Sequence, residues 1–227
     1  MKNRIPLYLV LLALPFLVWN CRKQLEPTEM DMTEYGWVLY VEEQFQEAND
    51  WFLEAVLEDT AYKDGYNGLG WSFGKLGEID SSITKFQNSR TLALRDTTDE
   101  DLILLLADPP HELVKETTAG LALSYHAKGN HVNAVVYGND LLSRTGDTTY
   151  TASQGSPRWS FSRDVTVSAK HIIWTLASSQ FSLGDFEQSL VHVQQLLTNP
   201  SSFTPDVTTI DGRRELAEKI ELLRDTF

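Results

Sequence analysis

Apolar and small residues in this chain recur on two scales, a helical spacing of about three to four residues within segments and a spacing of 34 residues between segments. From Tyr35 the order is Tyr-Gly-Trp-Val-Leu-Tyr, followed by Phe45, Ala48, Trp51, Phe52 and Ala55. From Leu69 it is Leu-Gly-Trp-Ser-Phe, followed by Ile79, Ser82, Phe86 and Ser89. Gly36 and Gly70, Trp37 and Trp71, Phe45 and Ile79, Ala48 and Ser82, Phe52 and Phe86, and Ala55 and Ser89 are each 34 apart. The short period predicts amphipathic helices, and the long one predicts that helix pairs stack as like units. Gly36 and Gly70 in the first helix, with Ala48 and Ser82 in the second, predict a close crossing. Leu39, Phe52, Phe73 and Phe86 then fill the space between units.

Two further segments keep this internal order. One carries Leu121, Ala122, Tyr125, Gly129, Ala134, Gly138 and Leu141; the other carries Leu176, Ala177, Gly184, Phe186, Ser189, Val193 and Leu196. The pattern resembles the tetratricopeptide repeat, a helix-turn-helix unit of this length. That resemblance implies an all-α fold: a TPR-like helical repeat, or α-solenoid, of about four units over residues 29–199. Crossing residues widen from 34 apart to 52 (Gly70 to Ala122) and 55 (Ala122 to Ala177), which places insertions near 93–114 and 145–163. The first holds Thr98, an acidic run, Leu102 to Ala107 and Pro109-Pro110, and predicts a short extra helix. The second is rich in Thr, Ser and Gly, includes Pro157, Trp159 and Phe161, and predicts a long loop of the kind that often carries function. Residues 200–227 predict a linker and a capping helix with Leu216, Ile220 and Leu223 on its inner face.

The N-terminus has a different pattern. Lys2 and Arg4 precede an apolar run from Ile5 to Trp19, shorter than the about 20 residues a spanning helix needs. The only cysteine, Cys21, follows after Asn20. Residues 1–20 resemble a bacterial lipoprotein signal peptide, with Val18 suiting the pattern three residues ahead of the cysteine. The resemblance implies cleavage, lipidation (palmitate) of Cys21, a linker over 21–28, and, because Arg22 is not an aspartate, the outer membrane facing the periplasm. An uncleaved N-terminal anchor is the alternative. A lone cysteine excludes an internal disulfide.

Formal charge is −13 and becomes −15 if residues 1–20, with two basic and no acidic residues, are removed. Such a surface argues against nucleic acid, whose phosphates require a basic face. The chain has no nucleophile elbow, phosphate-binding loop or metal-spaced histidines among His111, His126, His131, His171 and His192, so the expectation is a non-enzyme without cofactors or metal. In the TPR family, ligands lie on the concave face lined by first helices. That implies Trp37 and Tyr40, Asn67 and Trp71, Leu123 and His126, and Trp174 and Phe181 as candidate binding positions, with Trp159 from the loop. Of the Lys, Arg and Asn side chains with which some family members clamp a peptide C-terminus, only Asn67 and Lys75 are present. The expected function is a lipid-anchored protein-protein interaction scaffold of the bacterial cell envelope with a protein or peptide partner. The alternative is capture of a glycan or nutrient by stacking on the aromatic face.

Overall fold

A computed structural model of the chain describes residues 26–95 and 112–226. Cys21, the apolar run before it, and the helix expected between Thr98 and Ala107 lie outside the described residues. Within them the chain is all-α, with nine helices: α1 (Glu29–Val41), α2 (Phe45–Glu58), α3 (Lys63–Lys75), α4 (Ile79–Arg95), α5 (Glu112–Ala127), α6 (His131–Thr145), α7 (Ala169–Leu183), α8 (Phe186–Gln195) and α9 (Ile210–Arg224). Helices α1 to α8 form four antiparallel hairpins that stack in sequence, and α9 packs on α7 and α8 at the end. Among the described residues no helix is long and apolar enough to cross a membrane.

The four hairpin turns share one geometry. A residue one or two positions after the first helix is left-handed in each: φ is 61° at Glu43, 80° at Gly77, 78° at Gly129 and 83° at Gly184. The following N–H then donates to the carbonyl five residues back, Gln44 to Leu39, Glu78 to Phe73, Asn130 to Tyr125 and Asp185 to Gln180, each at 2.9 Å. This capping bond satisfies a carbonyl that the helix end would otherwise leave open. Glu43 keeps the turn although it is not glycine, at a steric cost.

Packing between hairpins explains the small residues. The fully buried ring of Phe52 lies between Gly36 on α1 and Gly68 on α3, and Phe86 lies between Gly70 on α3 and Gly120 on α5. A Cβ at Gly36 would sit 2.7 Å from the Phe52 ring, and one at Gly70 would sit 2.5 Å from Phe86. At the third interface the fit is inverted. Gly138 takes the aromatic position on α6, and Leu176 of α7 occupies the space instead. The crossings also repeat a hydrogen bond: Ser82 Oγ donates to Gly70 O at 2.8 Å, and Ser189 Oγ to Ala177 O at 2.7 Å, each from twelve residues ahead. The cap is anchored by Leu216, Ile220 and Leu223, all buried, and by Trp174 Nε1, which donates to Ile220 O at 2.9 Å.

Candidate functional site

Helices α1 and α3 bring Trp37, Tyr40, Asn67 and Trp71 together, and the segment from Gly146 to Ser168 folds back so that its Phe161 packs on the three rings. The return begins where α6 ends at Gly146, left-handed at φ 73°. The next residue, Asp147, is buried, and its carboxylate accepts the N–H of Arg158 at 2.9 Å and of Trp159 at 3.1 Å. Two backbone bonds, Phe161 N–H to Val167 O at 2.8 Å and Ala169 N–H to Trp159 O at 3.1 Å, close the tip.

That tip fills the groove. Phe161 is fully buried and stacks on Trp71 with ring centroids 4.2 Å apart and planes at 15°. It meets Trp37 and Tyr40 edge-on at 5.9 and 6.3 Å. Arg163 lies over the Trp37 ring at 5.3 Å and pairs with Glu34 at 3.3 Å, while Asp164 pairs with Lys75 at 3.3 Å. Exposed pairs of this kind contribute about 1 kcal/mol or less each. The aromatic contacts are therefore the main tether.

A buried polar network adjoins the tip. Asn67 Nδ2 donates to Glu116 Oε2 at 2.8 Å and to Asp64 Oδ1 at 3.4 Å, and Trp37 Nε1 donates to Asp64 Oδ2 at 3.1 Å. Ser162 Oγ donates to Glu116 Oε1 at 2.6 Å. Burial pushes the Glu116 carboxyl up to about 6, against the hydrogen bonds from Ser162 and Asn67. Asp64 is likewise raised by burial and held down in part by Trp37 and Asn67. A cleft of about 480 Å³ opens beside these groups between Tyr62, Asp64, Glu112, Glu116, Ser162 and Arg163. Chemically, Glu116 can take up a proton near pH 6, and both carboxyls can accept donors from whatever chain segment lies in the groove.

The groove is not fully satisfied by its own loop. The Tyr40 hydroxyl, Asn67 Oδ1 and Trp71 Nε1 of the helices are buried and make no hydrogen bond within the protein, and neither does Trp159 Nε1 of the loop itself. Each such group costs about 1–3 kcal/mol. Beneath Val167 a mostly apolar cavity of about 200 Å³ also remains between α3 and α5, against Trp71, Gly70 and Gly120.

The candidate positions therefore divide. Trp37, Trp71 and Trp159 are 2%, 6% and 3% exposed, so these rings are covered rather than presented to a glycan, and Tyr40 and Asn67 are covered with them. In the second half of the array His126, Trp174 and Phe181 stay half-buried. His126 Nδ1 lies 2.9 Å from Ser179 Oγ, its ring meets Trp174 edge-on at 5.3 Å, and it sits 5.5 Å from the His131 ring. Burial first, then His131, depresses His126 to about 4 and keeps it neutral. Phe181 packs against Phe186 at 5.1 Å. Among the described residues no three His, Cys, Asp or Glu side chains converge to hold a metal ion.

Sequence reasoning missed Asp64, Glu116, Ser162 and Arg163 as parts of this site. Asp64 and Asn67 stand one turn apart on α3, which is a detectable signal. Glu116 and Ser162 reach them only through the return of the loop, which no spacing encodes. Comparison with known proteins adds no further constraint: no family model and no curated protein matches the chain.

Proposed function

We propose that the protein is a non-catalytic interaction scaffold of the bacterial cell envelope, held to the membrane by lipid on Cys21 and binding a protein or peptide partner in the groove of α1 and α3. The observation that carries this reading is the way the groove accommodates Phe161 to Asp164. That short segment is gripped by one aromatic stack and two ion pairs, the contacts a peptide ligand would use. Three buried polar groups of the helices, the Tyr40 hydroxyl, Asn67 Oδ1 and Trp71 Nε1, are left without partners, so an incoming segment able to pair with them has an advantage over the resident loop. On this reading the loop is an exchangeable occupant, and binding is an exchange rather than an opening of empty space.

The experiment combines location with capture. Cys21→Ala should move the protein from the membrane fraction to the soluble fraction, and continued membrane retention contradicts the anchor. A photo-crosslinking residue at Tyr62, on the rim of the cleft, should capture one defined envelope protein in cells. Recovery of abundant bystanders alone contradicts the scaffold.

A further inference from the structure

The first hairpin, α1 and α2, closes the array at its N-terminal end without a capping helix among the described residues, whereas α9 covers the other end. A terminal repeat exposed to water is ordinarily polar on its outer face. Here the outward arc of α1 carries Met30, Tyr35, Val38 and Val41, and Trp51 of α2 joins it through an edge-on contact with Tyr35 at 4.9 Å. These five side chains are between 36% and 61% exposed.

The surrounding charge is mostly acidic, with Arg163 of the loop, paired to Glu34 at 3.3 Å, as a cation at its inner edge. From Gln24 to Tyr62 the sequence holds eleven Asp and Glu residues and no Lys or Arg. Helical spacing puts Asp31, Glu34 and Glu42 on the same arc as Val38, so apolar and acidic side chains interleave there. The field reaches nearby groups: burial, followed by Asp64, Glu29 and Glu34, pushes the Tyr62 phenol up to about 12. A second copy of this chain would bring carboxylates against carboxylates, and an anionic membrane surface would be repelled in the same way. What fits is an apolar stripe flanked by cations.

We infer that this face docks a basic amphipathic helix of a partner protein, its apolar residues on Tyr35, Val38 and Trp51 and its Lys or Arg residues on the flanking carboxylates. Helix-on-helix docking of this kind anchors at residues three and four apart, the spacing of Tyr35, Val38 and Val41. The inference extends the scaffold reading to a second surface and requires neither the lipid anchor nor exchange of the groove loop, so it fails or stands apart from them.

The test uses the full chain in phosphatidylcholine nanodiscs, titrated with a fluorescent two-heptad Leu/Lys amphipathic peptide and read by anisotropy against empty nanodiscs. The peptide should bind. Val38→Glu should weaken it at least tenfold, Val136→Glu on the distant exposed face of α6 should leave it unchanged, and rising salt should weaken it as the Debye length shortens. Failure to bind, binding that survives Val38→Glu, or equal binding of a Leu/Glu peptide would overturn the inference. So would photo-crosslinks from position 38 to residues 1–25 or to a second copy, which would assign the face to the chain itself.

Discussion

Replacing Phe161 by alanine separates the repeat scaffold from the loop that fills it. Truncating a fully buried phenylalanine ordinarily costs about 3–5 kcal/mol, and each aromatic pair adds about 0.5–1.5 kcal/mol. Phe161 is fully buried and touches three rings, Trp37, Tyr40 and Trp71. What remains to hold the tip against the helices is the Ser162 bond to Glu116, worth about 1.5–3 kcal/mol as a bond to a charged group, Arg163 over the Trp37 ring, and two partly exposed ion pairs of about 1 kcal/mol or less, while the Asp147 and backbone bonds and the buried Trp159 hold the base of the loop. Against these stands the entropy of ordering several loop residues, about 1–2 kcal/mol apiece. The tip should therefore detach in Phe161→Ala while the hairpins persist, because their interfaces depend on Phe52, Phe86 and Leu176 and not on Phe161. The assay is tryptophan emission and acrylamide quenching beside far-ultraviolet circular dichroism. Emission should shift to the red and quenching should rise as Trp37 and Trp71 meet water, with helicity retained. Unchanged emission together with a global loss of about 3–5 kcal/mol would refute the reasoning and make the loop an inseparable part of the core.

Three further outcomes follow from the geometry. Gly120→Ala pushes a methyl group into the Phe86 ring and should lower stability by about 1–3 kcal/mol in chemical denaturation, whereas no loss would mean that the ring is not wedged there. Glu43→Gly relieves a left-handed residue, and after the added entropy of the unfolded chain it should stabilise by about 0.5–1 kcal/mol, while Gly77→Ala at the equivalent turn should destabilise. For pH, the folded carboxyl of Glu116 sits near 6 against an ordinary 4.5, so its contribution favours folding in acid and is lost as pH rises through that window, about 2 kcal/mol in all. His126, depressed from 6.5 to about 4, acts in the opposite sense, and stability falls as acid protonates the unfolded chain first. His171 and His192 are lowered in the same direction as His126, and Asp64 is raised in the same direction as Glu116. Glu116→Gln should therefore steepen the loss of stability between pH 6 and pH 4.5, and His126→Gln should flatten it; denaturation midpoints at both pH values check the signs.

The fold was legible in the sequence because the repeat is written in residue size. Gly36, Gly70, Phe52 and Phe86 record helix crossings locally, and a fixed offset repeats the record. Even the departure at Gly138 is a local signal, since a missing ring must be replaced, and Leu176 replaces it. The aromatic groove was legible only in part. The repeat resemblance implied one face for Trp37, Tyr40, Asn67 and Trp71, but exposure is a property of whatever lies over that face. Here the cover is Phe161, more than 80 residues downstream of every one of these groups. The carboxyl pair shows the same limit: Asp64 and Glu116 meet through Asn67 at the contact of α3 with α5, across an insertion whose length hides their proximity.

The aromatic groove of the first two repeats is filled by residues Trp159 to Val167 of the same chain. Hydrogen exchange of the native protein, followed by mass spectrometry with resolution to single amides, tests it most directly. The amides of Trp159, Phe161 and Ala169 donate to Asp147, Val167 and Trp159, and should exchange slowly, much closer to the helices α3 and α5 than to the exposed turn at Gly155. Exchange of those three amides as fast as at Gly155 would contradict the account and leave the aromatic groove open.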